Sequence, residues 1–172
     1  MTPARYGTQA EQAPGSGAER PLHERHQGEH PRGLLGRVMA MGMGWWNAPQ
    51  NRLTVGQLRL GPADAVLEIG VGPGHALKRI SEQTRARFIA GVDHSELMVR
   101  TAARRNRRSI REERMLLRRG DVAALPFADG TFAAAFAVNS YHQWDDPTAA
   151  LGEIRRVLKP GGRVVLSIRI LH

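Results

Sequence analysis

The sequence contains no cysteine, so among imidazole and thiol side chains only histidine could ligate a soft metal. Its 172 residues can therefore hold no disulfide framework, no thiolate nucleophile and no thiolate-ligated metal. The absence fits a reducing compartment and is also compatible with export. His23, His26 and His30 allow a metal site, but solvated side chains in a polar tail explain them more simply, so we predict no metal.

Long apolar runs are also absent. No segment approaches the roughly 20 apolar residues that a membrane-spanning helix needs. Residues 1–20 lack the apolar centre of a secretory signal. We therefore expect a cytoplasmic protein without a membrane span.

Lysine is scarce, because Lys78 and Lys159 are the only lysines among 25 basic residues. The formal net charge of +9 raises the question of a nucleic-acid partner. Most of the excess lies in residues 100–119, which hold nine arginines against two glutamates. A coding preference for arginine is the plainer explanation, and a surface for RNA, lipid head groups or an acidic substrate is the alternative.

The length suits one globular domain. Residues 1–33 are rich in glycine, proline, glutamine and charge, so we expect a disordered or loosely ordered tail. We expect residues 34–172 to form a single domain. Within it, residues 34–62 would make an N-terminal helical cap and residues 63–172 an α/β core.

From residue 64 onward, short apolar runs alternate with helical patterns. The runs predict strands over residues 65–69, 87–92, 132–138 and 163–168, and a further strand that begins at Met115. Helices are predicted over residues 75–83, over 96–108 with Ser95 as N-cap, and over 148–158 with Pro147 at the first position. Residues 159–162 read as a turn. This alternation predicts a doubly wound, mostly parallel sheet.

A glycine-rich segment, Glu68-Ile69-Gly70-Val71-Gly72-Pro73-Gly74, follows the first strand. It lies where open α/β sheets bind ligands. A side chain at Gly70 or Gly72 would occupy the space of a ribose or an amino-acid group. The spacing is G-x-G-x-G, not the G-x-G-x-x-G of dinucleotide folds. The preceding carboxylate suits an ammonium group better than a pyrophosphate.

VLEIGVGPG resembles the first motif of class I S-adenosylmethionine-dependent methyltransferases. Further segments resemble the family's later motifs in the same order: Gly91-Val92-Asp93, Gly120-Asp121-Val122 with Leu125-Pro126-Phe127, residues 132–142, and residues 151–167. The resemblance covers about residues 50–170 and is closest to the ubiquinone/menaquinone-biosynthesis-like, methyltransferase type 11 group. It implies a Rossmann-like sheet of about five strands in the order 3-2-1-4-5, with helices on both faces, and S-adenosyl-L-methionine as cofactor.

The resemblance also implies the residues that contact this cofactor. On the glycine loop they are Glu68, Gly70, Val71, Gly72 and Gly74, and elsewhere Asp93, His94, Met98, Asp121, Val122 and Asn139. Asp93 would accept hydrogen bonds from both ribose hydroxyls. Asp121 would accept from the adenine amine, and the Val122 N–H would face the adenine ring.

The acceptor and the catalytic residues are not identified by the resemblance. Tyr141, His142 and Trp144 follow the strand whose loop lies near the methyl group in this fold, so His142, with Tyr141, is a candidate general base. Packing of this loop against the next helix is the alternative. Trp45 and Trp46 either close over the acceptor or pack the N-terminal segment.

The family's fold continues beyond a fifth strand, whereas this sequence ends at His172. Strand five is then expected to be an open edge through which the chain could form a homo-oligomer. We expect methyl transfer to a small-molecule acceptor by SN2 displacement. A cofactor-binding or oligomerising module without turnover is one alternative. An RNA- or anion-directed methyltransferase that uses residues 100–119 is another, although no Asn-Pro-Pro-Tyr motif of base methylation is present.

Overall fold

The computed structural model describes residues 48–169. Predictions for the tail, its three histidines, Trp45, Trp46 and most of the helical cap lie outside the described residues. The elements are α1 (Ala48–Leu58), β1 (Ala65–Ile69), α2 (His75–Gln83), β2 (Phe88–Asp93), α3 (Glu96–Arg105), α4 (Arg107–Arg111), β3 (Met115–Arg119), β4 (Phe132–Val138), a 3-10 turn (Tyr141–Gln143), α5 (Pro147–Val157) and β5 (Leu158–Ser167). In this part of the chain, no helix has both the length and the hydropathy needed to cross a bilayer.

The five strands form one sheet in the order β3-β2-β1-β4-β5, and every neighbouring pair is parallel. This confirms the predicted fold class and strand order. Strands β1 and β2 are buried along their whole length, as expected for strands covered on both faces. One face packs against α1, α2 and α3, and the other packs against α5 and the loop before β4.

The predicted single helix over residues 96–108 is wrong, because it breaks at Asn106 into α3 and α4. The Asn106 Nδ2 atom donates to the Gly74 carbonyl at 3.1 Å and to the Ala102 carbonyl at 2.9 Å. Its side chain thus ends α3 and ties that end to the glycine loop. Arg105 donates to the Pro73 carbonyl at 2.8 Å and strengthens the same connection.

The predicted turn over residues 159–162 lies inside β5 as a bulge. Phe132 pairs with Leu158, but Ala134 already pairs with Arg163, so β5 carries extra residues between the two pairs. Gly161 adopts a φ of 74° within the bulge. Across this irregularity Phe132 lies in the core cluster beside α5, whereas Ala134, two residues later on β4, lies in the opposite cluster.

Arg156 on α5 fastens the loop before β4 to the domain. Its guanidinium donates to the carbonyls of Leu125 at 3.0 Å and Phe127 at 2.8 Å, and to the carboxylates of Glu153 and Asp129. We expect Arg156→Ala to lower the free energy of unfolding by about 2 kcal/mol, because these acceptors lose a charged donor. Thermal melting would show a fall of roughly 4–8 °C.

Arg108→Ala is the matched control, because its pair with Glu112 is exposed and should leave the melting temperature unchanged. Arg156 also holds the pKa of Glu153 below its ordinary value. The stabilisation that the ionised Glu153 gains from Arg156 is present at neutral pH and is lost as the pH falls below the ordinary glutamate range. Equal melting temperatures for both variants would contradict the role of Arg156.

Candidate functional site

The glycine loop sits at the carboxyl edge of the sheet, between β1 and α2. Its backbone is held by β2, because the N–H groups of Gly70 and Val71 donate to the Val92 carbonyl at 2.8 and 3.3 Å. Gly70, Gly72 and Gly74 have φ angles of 75°, 48° and 78°. Side chains disfavour this left-handed region, so all three positions favour glycine.

The three glycines differ in what surrounds them. A Cβ atom at Gly70 would lie 2.5 Å from Ser140 Cβ, and one at Gly74 would lie 2.8 Å from Ala102 Cβ. At Gly72 nothing lies within 4 Å. The prediction that Gly70 clears space for a ligand is therefore wrong, because Ser140 fills that space. Only Gly72 opens toward free space.

Asp93 ends β2 directly beneath the loop and is 6% exposed. Its Oδ2 accepts from the Gly72 N–H at 2.9 Å, and its Oδ1 accepts from the Ser95 N–H at 2.9 Å. A carboxylate offers about four lone-pair sites, so two further hydrogen bonds can be accepted. Ser95 caps α3 by accepting from the Met98 N–H, which confirms it as the N-cap. Asp93 thus shapes the loop and keeps capacity for a diol.

Glu68 is a buried carboxyl at the end of β1. The Leu77 N–H, in the first turn of α2, donates to it, whereas Oε2 has no hydrogen-bond partner among the described residues. Burial raises the pKa of Glu68 well above its ordinary value, and the nearby Asp93 carboxylate raises it further. A cation beside Oε2 would satisfy this atom and favour the ionised form.

The raised pKa of Glu68 makes stability depend on pH. A carboxyl whose pKa is higher in the folded chain favours folding while protonated, and this contribution is lost as the pH rises through the raised value. Glu68→Gln keeps a neutral acceptor for the Leu77 N–H and removes the titration. We expect the variant to match the wild type at acidic pH and to become the more stable protein as the pH rises toward neutrality.

Urea unfolding at a series of pH values measures this difference. Glu113→Gln, at an exposed position, is the control and should follow the wild type throughout. A constant difference between Glu68→Gln and the wild type across the range would show that Glu68 does not titrate as described.

The other residues predicted to contact the cofactor on α3 and after β3 are more exposed than Glu68 and Asp93. His94 is exposed, and its Nδ1 lies 3.6 Å from Asp93 Oδ1, while Met98 is half-buried. Asp121 is exposed, and its Oδ1 accepts from the Ala123 N–H at 2.9 Å in a local turn. Val122 packs against the core beside α5. The structure therefore brings Glu68, Gly72 and Asp93 together and leaves Asp121 toward solvent.

Asn139 is engaged in a polar network at the ends of β4 and β5. Its Nδ2 donates to Gln50 Oε1 at 2.7 Å, and its Oδ1 accepts from Gln50 Nε2 at 3.1 Å. Gln50 also donates to Ser167 Oγ at 2.8 Å, and the Arg169 N–H donates to Asn139 Oδ1 at 2.9 Å. The amide thus binds α1 to the sheet. Gln50 was not predicted, because a single glutamine in a helix gives no sequence signal.

Ser140 was also missed. Its Oγ donates to the Ile69 carbonyl at 2.8 Å and it packs against Gly70, so β4 supports the glycine loop. Next along the chain, the rings of Tyr141 and Trp144 meet edge to face at 5.0 Å, and Trp144 packs against the core. This supports the packing interpretation for Trp144. His142 is exposed, and its role as a base stays a prediction.

A family model described as a methyltransferase domain matches residues 67–166, which contain the glycine loop and all five strands except the first residues of β1 and the last residue of β5. The chain belongs to the methyltransferase domain family. This confirms the resemblance drawn from VLEIGVGPG and the later motifs. The matched region includes every described element that contributes to the site except α1.

Relatives of this methyltransferase domain include bacterial proteins. The uncharacterized methyltransferase YdaC of Bacillus subtilis is 30% identical over 123 residues, which are 72% of this chain and 66% of YdaC. A demethylmenaquinone methyltransferase of Thermus thermophilus is 34% identical over 59% of this chain and 45% of its own. The [4+2]-cyclase SpnF has the same fold, with a TM-score of 0.63 and 30% identity over 68% of this chain and 43% of SpnF. The chain thus spans between 43% and 66% of the length of these proteins.

Proposed function

We propose that this domain binds S-adenosyl-L-methionine and transfers its methyl group to a small-molecule acceptor. The observation that carries the proposal is the free space at Gly72 beside the Asp93 carboxylate, together with a buried Glu68 near Asp93 whose Oε2 has no hydrogen-bond partner among the described residues. The family supports methyl transfer as the reaction. The Thermus relative, named for demethylmenaquinone, supports a small organic acceptor.

The residues present fit this cofactor in charge and shape. Glu68 would stabilise the α-ammonium group, because an unpartnered buried carboxyl oxygen gains most from a cation. Asp93 would use its two free lone-pair positions for the ribose hydroxyls while it keeps the Gly72 and Ser95 N–H groups. Met98 lies in the first turn of α3 and would cover the nucleoside from the side of β2.

When bound, the cofactor supplies a methyl group that its positive sulfur already activates for displacement. The protein's task is then to orient the acceptor and to exclude water. Asn139 and Ser140, at the end of β4, would border the acceptor, and Gln50 would hold α1 across them. A base is required only for an acceptor that must lose a proton, and His142 is our candidate for that role.

Transfer of a labelled methyl group to a panel of phenols, quinols, amines and thiols tests the proposed reaction. We expect product with at least one small acceptor, and we expect His142→Ala to retain cofactor affinity. Binding of the cofactor without product across the panel would favour the second candidate function below. Absence of cofactor binding would reject the proposal.

A second candidate function is cofactor binding without methyl transfer. The observation that favours it is the likeness to SpnF, which is named for a cyclisation, so this fold is not restricted to methylation. The two candidates share the site and differ only in turnover.

The arginine-rich stretch supports a nucleic-acid function less than its charge suggested. Arg105 donates to the Pro73 carbonyl, and Arg119 donates to the His94 carbonyl at 3.2 Å. Arg100 and Arg108 pair with glutamates one turn away. RNA binding can be tested separately, because it predicts that the affinity for RNA falls steeply as the salt concentration rises.

A further inference from the structure

Different elements hold the two parts of the glycine loop. Residues 70–72 are fixed by hydrogen bonds to the end of β2. The next two residues are fixed by the end of α3, because Arg105 donates to the Pro73 carbonyl at 2.8 Å and Asn106 Nδ2 donates to the Gly74 carbonyl at 3.1 Å. Both contacts join residues 32 positions apart, so α3 acts on the loop only in the folded chain.

The Gly74 carbonyl is the point at which the loop becomes α2. Gly74 is the N-cap of this helix, and its carbonyl accepts the Lys78 N–H at 3.2 Å in addition to Asn106 Nδ2. A carbonyl oxygen has two lone pairs, so it can accept both donors. Asn106 therefore fixes the start of α2 as well as the end of α3.

The third glycine of the motif lets α3 approach the loop closely. A Cβ atom at Gly74 would lie 2.8 Å from Ala102 Cβ and 2.8 Å from Asn106 Nδ2. Asn106 is 3% exposed, so it cannot move aside into solvent. The absence of a side chain at position 74 is thus explained by the packing of α3 against the loop.

We propose that Asn106 and Arg105 are positioning residues for the cofactor, because by holding Pro73 and Gly74 they fix the free space at Gly72. This inference rests on the proposed function, in which the loop binds S-adenosyl-L-methionine. A loop that is already held in its binding conformation loses less conformational entropy when the ligand binds. Supporting hydrogen bonds behind a binding loop therefore act on affinity without touching the ligand.

The hydrogen bonds of Asn106 show why it acts through the loop. Its amide nitrogen carries two hydrogens, and the carbonyls of Gly74 and Ala102 accept both of them. The amide nitrogen thus has no donor left for a ligand. A change at Asn106 reaches the cofactor site through the position of the backbone at Gly74.

Asn106→Asp tests the proposal, because it keeps the shape of the side chain and removes the donor. At neutral pH the new carboxylate would face the two carbonyls that now accept from Nδ2. We expect the dissociation constant for S-adenosylhomocysteine to rise roughly tenfold. Isothermal titration at a temperature at which both proteins are fully folded measures this change.

Arg105 offers a rescue experiment. Arg105→Met keeps much of the apolar stem and removes the donor to the Pro73 carbonyl, whereas Arg105→Lys restores a donor. We expect Arg105→Met to weaken binding of S-adenosylhomocysteine and Arg105→Lys to recover most of the affinity. Equal affinities for the two variants would remove Arg105 from the proposal.

Hydrogen exchange on the unliganded chain separates positioning from a general loss of stability. We expect Asn106→Asp to speed exchange of the Gly74 and Lys78 amides roughly tenfold or more. The Gly70 amide should stay slow, because the Val92 carbonyl still accepts from it. Equal acceleration of all three amides would show a general loss of stability and overturn the proposal.

Arg156→Ala is the matched control for affinity, because it removes hydrogen bonds to the loop before β4 and none to the glycine loop. It should lower stability and leave the dissociation constant unchanged. Unchanged affinity in Asn106→Asp, or an equal loss in Arg156→Ala, would overturn the positioning role. A wild type that does not bind S-adenosylhomocysteine would instead reject the proposed function, whereas the exchange rates would still show whether Asn106 holds the loop.

Discussion

Gly70→Ala should be among the most destabilising single substitutions in the domain. The added methyl group would lie 2.5 Å from Ser140 Cβ, and the backbone φ of 75° disfavours any side chain. Overpacking and the left-handed conformation together cost about 2–4 kcal/mol. Calorimetry should show a melting temperature lower by roughly 5–15 °C.

A double variant separates the two causes of this loss. Ser140→Gly removes the atom that Gly70→Ala would meet, so in that background the substitution should cost only the backbone part, about 1–2 kcal/mol. Non-additivity of this kind identifies a direct contact. Additive losses would mean that Ser140 does not limit the space at Gly70.

Gly72→Ala is the contrasting substitution, because nothing lies within 4 Å of its added methyl group. We expect a smaller loss of stability than at Gly70, arising from its φ of 48° alone. The methyl group would enter the space proposed for the cofactor. Loss of affinity at Gly72 and loss of stability at Gly70 would therefore assign different roles to two glycines of one motif.

Asp93→Ala should weaken cofactor binding more than any other side-chain substitution at the site. It removes the acceptor proposed for the ribose hydroxyls and releases the Gly72 N–H, which now donates to Oδ2 at 2.9 Å. A hydrogen bond to a charged group contributes about 1.5–3 kcal/mol, so the dissociation constant should rise roughly 10- to 100-fold or more. Isothermal titration with S-adenosylhomocysteine measures this change.

Asp64→Ala is the matched control for Asp93. Its Oδ2 also accepts a backbone N–H, that of Gly61 at 2.8 Å, but it lies at the amino end of β1, away from the glycine loop. Asp64→Ala should lower stability and leave affinity unchanged. Equal affinities for the wild type and Asp93→Ala would reject the ribose assignment.

Much of the fold was predictable because its signals are local. The bounds of β1, α2 and β4 match the predicted ranges residue for residue, since short, mostly apolar runs and the spacing of Ala76, Leu77 and Ile80 define them. The break at Asn106 was not predictable. It depends on a hydrogen bond to Gly74, 32 residues earlier in the chain.

The candidate site was likewise predictable only where its signals are local. The glycine loop and Asp93 could be found from motif spacing, and the structure joins them through the Gly72 N–H. The reason for Gly70 could not be found, because Ser140 reaches it only after β4 pairs with β1. Gln50 likewise acquires its role through Asn139, 89 residues away. Residues that act through long-range contacts give no local pattern to read.

Competitive titration of the purified chain with S-adenosyl-L-methionine and with NAD tests most directly which of the two cofactors the site binds. The site formed by Gly72, Asp93 and the buried Glu68 should bind one equivalent of the phosphate-free, cationic nucleoside and exclude the pyrophosphate-bearing NAD. Gly72→Ala and Asp93→Ala should each weaken that binding. Preference for NAD, or S-adenosyl-L-methionine binding that both substitutions leave unchanged, would contradict the proposed site.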